Sequence, residues 1–166
     1  DTGDLGEALV AGDGKRFCDL LLGGPRAEDD ERCRQARAAY DEGRLDAAAA
    51  RWPRRDRDRR KALAALRRSG KTGPAIAAVN PRMRRLFVSA WQSRIFNDVL
   101  ARRIDTLDAV LDGDWAKKTD TGGMFYVEDA SAEADRAAEF AISPTGPLVG
   151  PRCPPAGGEP GRIEQE

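Results

Sequence analysis

Histidine is absent from the 166-residue sequence. That absence excludes a Ser-His-Asp or Cys-His nucleophilic centre, in which an imidazole must take the proton from the nucleophile. Cysteine is scarce: Cys18, Cys33 and Cys153 lie far apart and form no CxxC pair. A Cys/His metal site therefore has no ligand set to draw on, and reduced thiols of a cytoplasmic protein are the expectation. Aromatic residues make up only 6%. No apolar run approaches the roughly 20 residues that carry a helix across a bilayer, and no secretory pattern opens the chain. We expect no membrane partner. The chain begins at Asp1 rather than Met, so a piece of something longer is expected.

What the sequence does contain is charge, at 34%, beside 40% apolar residues. This is the composition of a helix-leaning globular chain, and its length fits a single domain over residues 1–166. Lys plus Arg and Asp plus Glu are equal at 28 each, but unevenly placed. Residues 51–103 carry 16 Lys and Arg against three Asp, a local +13, whereas the first 50 residues sum to −5 and the last 63 to −8. A basic block between acidic ends suits a polyanion such as RNA. It equally suits a solvated helix face paired with those acidic ends.

Helical spacing with Gly and Pro stops predicts one or two short helices over Leu5–Leu22, then helices over Asp29–Asp41, Leu45–Ala50, Arg54–Arg68 and Pro74–Val79. The clearest element follows. Met83, Leu86, Phe87, Ala90, Trp91, Ile95, Phe96, Val99, Leu100 and Ile104 recur at i, i+3, i+4 spacing, which predicts a helix of about 20 residues with a broad apolar face at the centre of the core. Leu86, Phe87, Trp91, Phe96 and Leu100 are expected to be buried. After Leu111 the pattern shortens. Asp114–Lys118 and Met124–Glu128 flank Thr121-Gly122-Gly123 and read as a hairpin. Ser131–Ala138 reads as a helix capped by Ser131, and Phe140–Ser143 as a third strand. In Ser143-Pro144-Thr145-Gly146, Pro at the second position and Gly at the fourth predict a type I turn. Gly or Pro fills 11 of the 18 positions from Pro144 to Gly161, so residues 144–166 are expected to form a loop. The fold class is thus α+β: mainly helical, with a long central helix and a small antiparallel sheet in the C-terminal third.

Gly70-Lys71-Thr72 has the ending of a phosphate-binding loop, but Ala65 stands where the first glycine should be and a helix precedes it. A helix end followed by a turn is the better reading. Asp112-Gly113-Asp114 lacks the further oxygen ligands of a calcium loop and reads as a turn. The candidate polyanion contacts are Arg54, Arg55, Arg57, Arg59, Arg60, Lys61, Arg67, Arg68, Lys71, Arg82, Arg84 and Arg85. Arginine offers a planar donor fork that fits phosphate oxygens. Aromatic residues do not interleave with the tract, so it predicts backbone contact without base stacking.

The stretch Phe87-Val88-Ser89-Ala90-Trp91-Gln92-Ser93-Arg94-Ile95-Phe96-Asn97 resembles the "SA-aromatic-QS-x-(L/I)-FN" signature of the tRNA pseudouridine synthase D family. It is followed, as in that family, by Val99-Leu100, Arg102-Arg103 and Gly113-Asp114. Ser143-Pro144-Thr145-Gly146-Pro147-Leu148-Val149-Gly150 resembles the family's "SPTGPLxG", and Leu5-Gly6-Glu7-Ala8-Leu9 is similar to the segment after its "FGxxRFG". Three motifs in order across nearly the whole chain make the resemblance specific. It implies isomerisation of a uridine in tRNA to pseudouridine, at position 13 in bacterial members, with neither metal nor organic cofactor. The family's catalytic aspartate sits in a "GxKD" segment that this sequence lacks; it lacks "FGxxRFG" as well. The resemblance therefore assigns no catalytic residue here. It implies the domain inserted into the catalytic fold, an accessory part facing RNA and inactive alone, with tRNA and the catalytic domain of the same protein as partners. A stand-alone polyanion-binding adaptor is the alternative.

Overall fold

The computed structural model describes residues 2–147, 150 and 153–165. Leu148 and Val149, in the second family-like motif, lie outside the described residues, as do parts of the 144–166 segment. Where the length predicts one domain, the chain divides into two compact units, residues 1–91 and 92–166.

Six helices and the start of a seventh build the first unit: α1 (Thr2–Val10), α2 (Gly14–Leu22), α3 (Glu31–Asp41), α4 (Leu45–Arg51), α5 (Arg57–Ser69), α6 (Thr72–Ala78) and α7 (Pro81–Arg102), which continues into the second. Their ends follow from local chemistry. Asp13 and Asp30 accept from the backbone N–H groups of Arg16 and Cys33 and so cap α2 and α3. Gly70 closes α5 in the left-handed conformation at φ 65°, which glycine adopts without a Cβ penalty. The phosphate-loop-like tripeptide is thus a helix end followed by a helix start. Phe17, Leu22, Ala36, Ala62, Leu63 and Ala75 are fully buried and form the core with Val79 and Phe87. The rings of Phe17 and Phe87 lie 6.1 Å apart at 55°. Gly6 sits inside α1 because a Cβ there would overlap the carbonyl oxygen of Phe87; this explains a residue that otherwise weakens a helix.

In the second unit, β1 (Trp115–Lys118) is the middle strand of an antiparallel sheet ordered β2-β1-β3, with β2 (Met124–Tyr126) and β3 (Ile142–Pro144) at the edges. Trp115 pairs with Tyr126 and Lys117 with Met124 on one side; Lys117 pairs with Ser143 on the other. Helix α8 (Ala130–Ala138) and α9 (Gly158–Gln165) complete the unit. Its apolar cluster is small: Val110, Ala116, Val127, Ala137 and Ile142. Beside it lies a buried ion pair. Arg103 Nη1 and Nη2 donate to Asp114 Oδ1 and Oδ2 at 2.5 and 2.9 Å, and Asp114 Oδ2 also accepts from the backbone of Leu111 at 2.8 Å.

Five expectations are corrected. Along α7, Phe87 and Val99 are buried, but Leu86 is 52% exposed, Leu100 is also exposed, and Trp91 and Phe96 are half-buried. Phe87 and Val99 are twelve positions apart, roughly 120° round a regular helix, so no single apolar stripe marks the buried face. Helix α5 starts at Arg57, leaving Arg54 and Arg55 in the turn after Trp52-Pro53. Asp129, not Ser131, caps α8, accepting from the N–H groups of Ser131 and Ala132. Ser143-Pro144 is strand, not turn: Pro144 pairs with Ala116 on an edge, where its missing N–H costs nothing, and Thr145 N–H continues the ladder to Trp115 O at 2.8 Å. Residues 158–165 are helix rather than loop. Pro160 falls in the first turn of α9, the place where a helix tolerates proline.

The second unit also brings the two longer family-like motifs together. The ring of Phe96 occupies the space a Cβ would need at Gly146.

Candidate nucleic-acid interface

The basic segment of the first unit is ordered by the amphipathic pattern of α5. Ala62, Leu63 and Ala65 turn inward. Arg57, Arg60, Lys61, Ala64 and Arg68 stand at i, i+3, i+4, i+7 and i+11 and are all exposed. They form one solvent-facing cationic stripe about 16 Å long. Lys71, Arg82, Arg85 and Arg54 are exposed as well. None of these eight cations has an acidic partner among the described residues.

Three of the twelve predicted contacts are held by carboxylates. Arg55 pairs with Asp30 and Arg67 with Asp46, both acids belonging to the acidic first 50 residues. Arg59 pairs with Asp56 at 3.4 Å and lies over the Trp52 ring at 5.6 Å. The remaining one, Arg84, is half-buried, and its Nε finds no hydrogen-bond partner among the described residues. Intramolecular pairing therefore accounts for a quarter of the tract. Asp30 is held down to about 2, chiefly by hydrogen bonds from Cys33 and then by Arg55.

Two features escaped sequence reasoning. Arg37 looks like any other surface cation, yet it is 1% exposed. It donates to Gly23 O at 2.7 Å, lies 2.8 Å from Asp29 as an ion pair, and stacks 5.5 Å over the opposing Trp52 ring. Only the tertiary packing of Trp52 identifies it. Arg44 and Asp46, beside the α3–α4 turn, line a groove with Ala64, Arg67 and Arg68; Gly43, the helix stop, was the available signal for that turn. Among the described residues no group of three or more Cys, Asp or Glu is placed to hold a metal ion, and no helix is long and apolar enough to cross a membrane.

Burial pushes the thiols of Cys18 and Cys33 up to about 11. At neutral pH both are thiols rather than nucleophilic thiolates.

A family model for tRNA pseudouridine synthase D (TruD) matches residues 1–166. The tRNA pseudouridine synthase D of Geobacter sulfurreducens is 43% identical over 162 residues, covering 97% of this chain and 40% of that protein. A Thermus thermophilus protein of the same name is 47% identical over 89 residues, 52% of this chain and 25% of the relative. A crystal structure of a putative tRNA pseudouridine synthase D from Methanosarcina mazei superposes with a TM-score of 0.85 at 24% identity, over 99% of this chain and 40% of the other. The chain spans about 40% of the length of the first of these relatives, and, with a family model matched from end to end, it belongs to the tRNA pseudouridine synthase D family.

Proposed function

We propose that this chain is the RNA-facing accessory part of an enzyme that isomerises a uridine of tRNA to pseudouridine. The observation that carries the reading is the α5 stripe, exposed and without acidic partners among the described residues, in a chain of this family. Clustered arginines on a rigid helix neutralise backbone phosphates and release counterions, which yields affinity without base choice. Catalysis requires a reactive group held in near-attack geometry against its target. No aspartate of these residues sits in a GxKD segment, so the catalytic aspartate belongs to a segment outside them, and the chain by itself binds tRNA without modifying it. Exposed Leu86 in the first unit and exposed Leu100 and Ile104 in the second support packing against the catalytic part of the same protein. A cytoplasmic setting goes with that substrate.

The test is to mix the purified chain with unmodified tRNA, measuring binding by fluorescence anisotropy and pseudouridine by mass spectrometry of the digested RNA. Binding without pseudouridine is expected. Turnover abolished by one aspartate substitution within this chain would overturn the division of labour. Equal affinity for heparin and tRNA would favour a general polyanion adaptor.

A further inference from the structure

The α5 stripe faces open solvent, but its C-terminal end borders a concave surface. A groove of about 780 Å³ runs between the α3–α4 turn and α5. Its walls are Gly43, Arg44 and Asp46 on one side and Ala64, Arg67 and Arg68 on the other. Three guanidinium groups thus line one cleft with small residues between them. Gly43 has φ 73° and no atom near its missing Cβ, and Ala64 is exposed, so an elongated chain can approach the backbone on both walls.

Two of the three arginines are occupied by carboxylates. Arg67 pairs with Asp46 and Arg44 with Glu42. Both acids are open to water, the Asp46 side chain being 88% exposed and that of Glu42 54%. Arg68 is exposed and has no acidic partner among the described residues. Exposed ion pairs are weak, because water screens them and two long side chains must be held still. A carboxylate and a phosphodiester present the same pair of acceptor oxygens to a guanidinium fork.

Resting on the RNA-facing reading above, we propose that this groove is a binding site for the RNA backbone. In it, Asp46 and Glu42 hold Arg67 and Arg44 extended until phosphodiester groups displace them, and Arg68 provides the first contact. The placeholders tune affinity: they keep the forks in position, and their negative charge opposes the incoming phosphate.

The experiment compares four single variants with the unsubstituted chain for binding to unmodified tRNA across a salt series. Arg68→Gln and Arg67→Gln should weaken binding roughly three- to tenfold and flatten the log-affinity against log-salt slope by about 0.7–0.9 per lost contact. Asp46→Asn should act in the opposite sense and tighten binding severalfold, because it removes a competing charge. Arg57→Gln, on the stripe but outside the groove, serves as the control. If Arg57→Gln weakens binding while the three groove variants leave affinity and slope unchanged, the groove is wrong and the RNA-facing reading stands. If the unsubstituted chain does not bind tRNA, that reading falls and the groove with it. Inorganic phosphate should compete no better than chloride at equal ionic strength; selective inhibition by phosphate would assign the groove to a free anion instead. All four positions are exposed, so unchanged melting temperatures are expected, and the gain at Asp46→Asn cannot arise from misfolding.

Discussion

The two units hold themselves together by different means. The first buries Phe17, Leu22, Leu63 and several alanines against Phe87, so apolar burial dominates it even though it too holds a buried ion pair, Arg37 with Asp29. Among its described residues the second has five buried residues in its apolar cluster and sets a bidentate Arg103–Asp114 pair beside them. An ion pair taken out of water is a weak net stabiliser, yet losing one partner is costly because the other charge is stranded. The second unit, with the smaller apolar cluster, should therefore depend more on its Arg103–Asp114 pair than the first does on Arg37–Asp29.

The largest effects test that contrast directly. Asp114→Ala should cost about 3–5 kcal/mol by leaving Arg103 buried without its counter-charge, and Phe17→Ala about 3–5 kcal/mol by opening a cavity. Hydrogen exchange should show the loss confined to residues 92–166 for the first and to residues 1–91 for the second. Uniform loss of protection in both variants would mean that the units unfold as one. The charge-free double replacement Arg103→Met with Asp114→Leu should recover much of the deficit; no recovery would show that the pair acts through geometry other than charge.

A smaller effect is expected at Gly6. Gly6→Ala drives a methyl group into the Phe87 carbonyl, an overpacking that should cost about 1–3 kcal/mol in chemical denaturation. A neutral or stabilising result, as helix propensity alone would give, would remove the close approach of α1 to α7 from the account of the first core.

Smaller again is a pH effect at the start of α3. The folded Asp30 carboxyl lies at about 2, against its ordinary 3.8. Its contribution is present above 3.8 and is lost as pH falls through about 2, because the ionised carboxylate accepts the Cys33 and Arg55 hydrogen bonds more strongly than the neutral acid does. Asp30→Asn should flatten the stability profile between those values, and Arg55→Gln should do so only in part, since Cys33 is the leading cause. The mildest test is chemical labelling at pH 8. Exposed Cys153 should react quickly, whereas Cys18 and Cys33, buried and pushed up to about 11, should react only when the first unit opens.

The sequence marks where elements stop better than which way they face. Gly43, Gly70, Pro53 and Asn80-Pro81 punctuate the helices where expected, because a left-handed residue or a missing N–H acts locally. The hairpin and third strand were legible for the same reason. The burial of α7 was not: its apolar residues occur on every side, and only the neighbours decide which ones are covered. Pro144 and Pro160 each fit a regular element at a tolerated position, edge strand and first helical turn, so their density misled. In the candidate interface the twelve cations were legible as a charge excess. Their division into eight open, three paired and one half-buried was not, because Asp30 and Asp46 come from distant parts of the chain.

The Trp52 stack has a spectroscopic consequence. The protein has three tryptophans; Trp52 is buried, with the guanidinium groups of Arg37 and Arg59 5.5 and 5.6 Å from its ring centre, and Trp91 and Trp115 are half-buried. Its indole sits two residues before the basic tract and touches one of the tract's own arginines. Movement of Arg59 toward an external anion changes the field on the ring, so Trp52 emission becomes a built-in gauge of that segment. In a Trp91→Phe, Trp115→Phe background, a salt-sensitive change in that emission on adding tRNA would follow the interface without any attached dye.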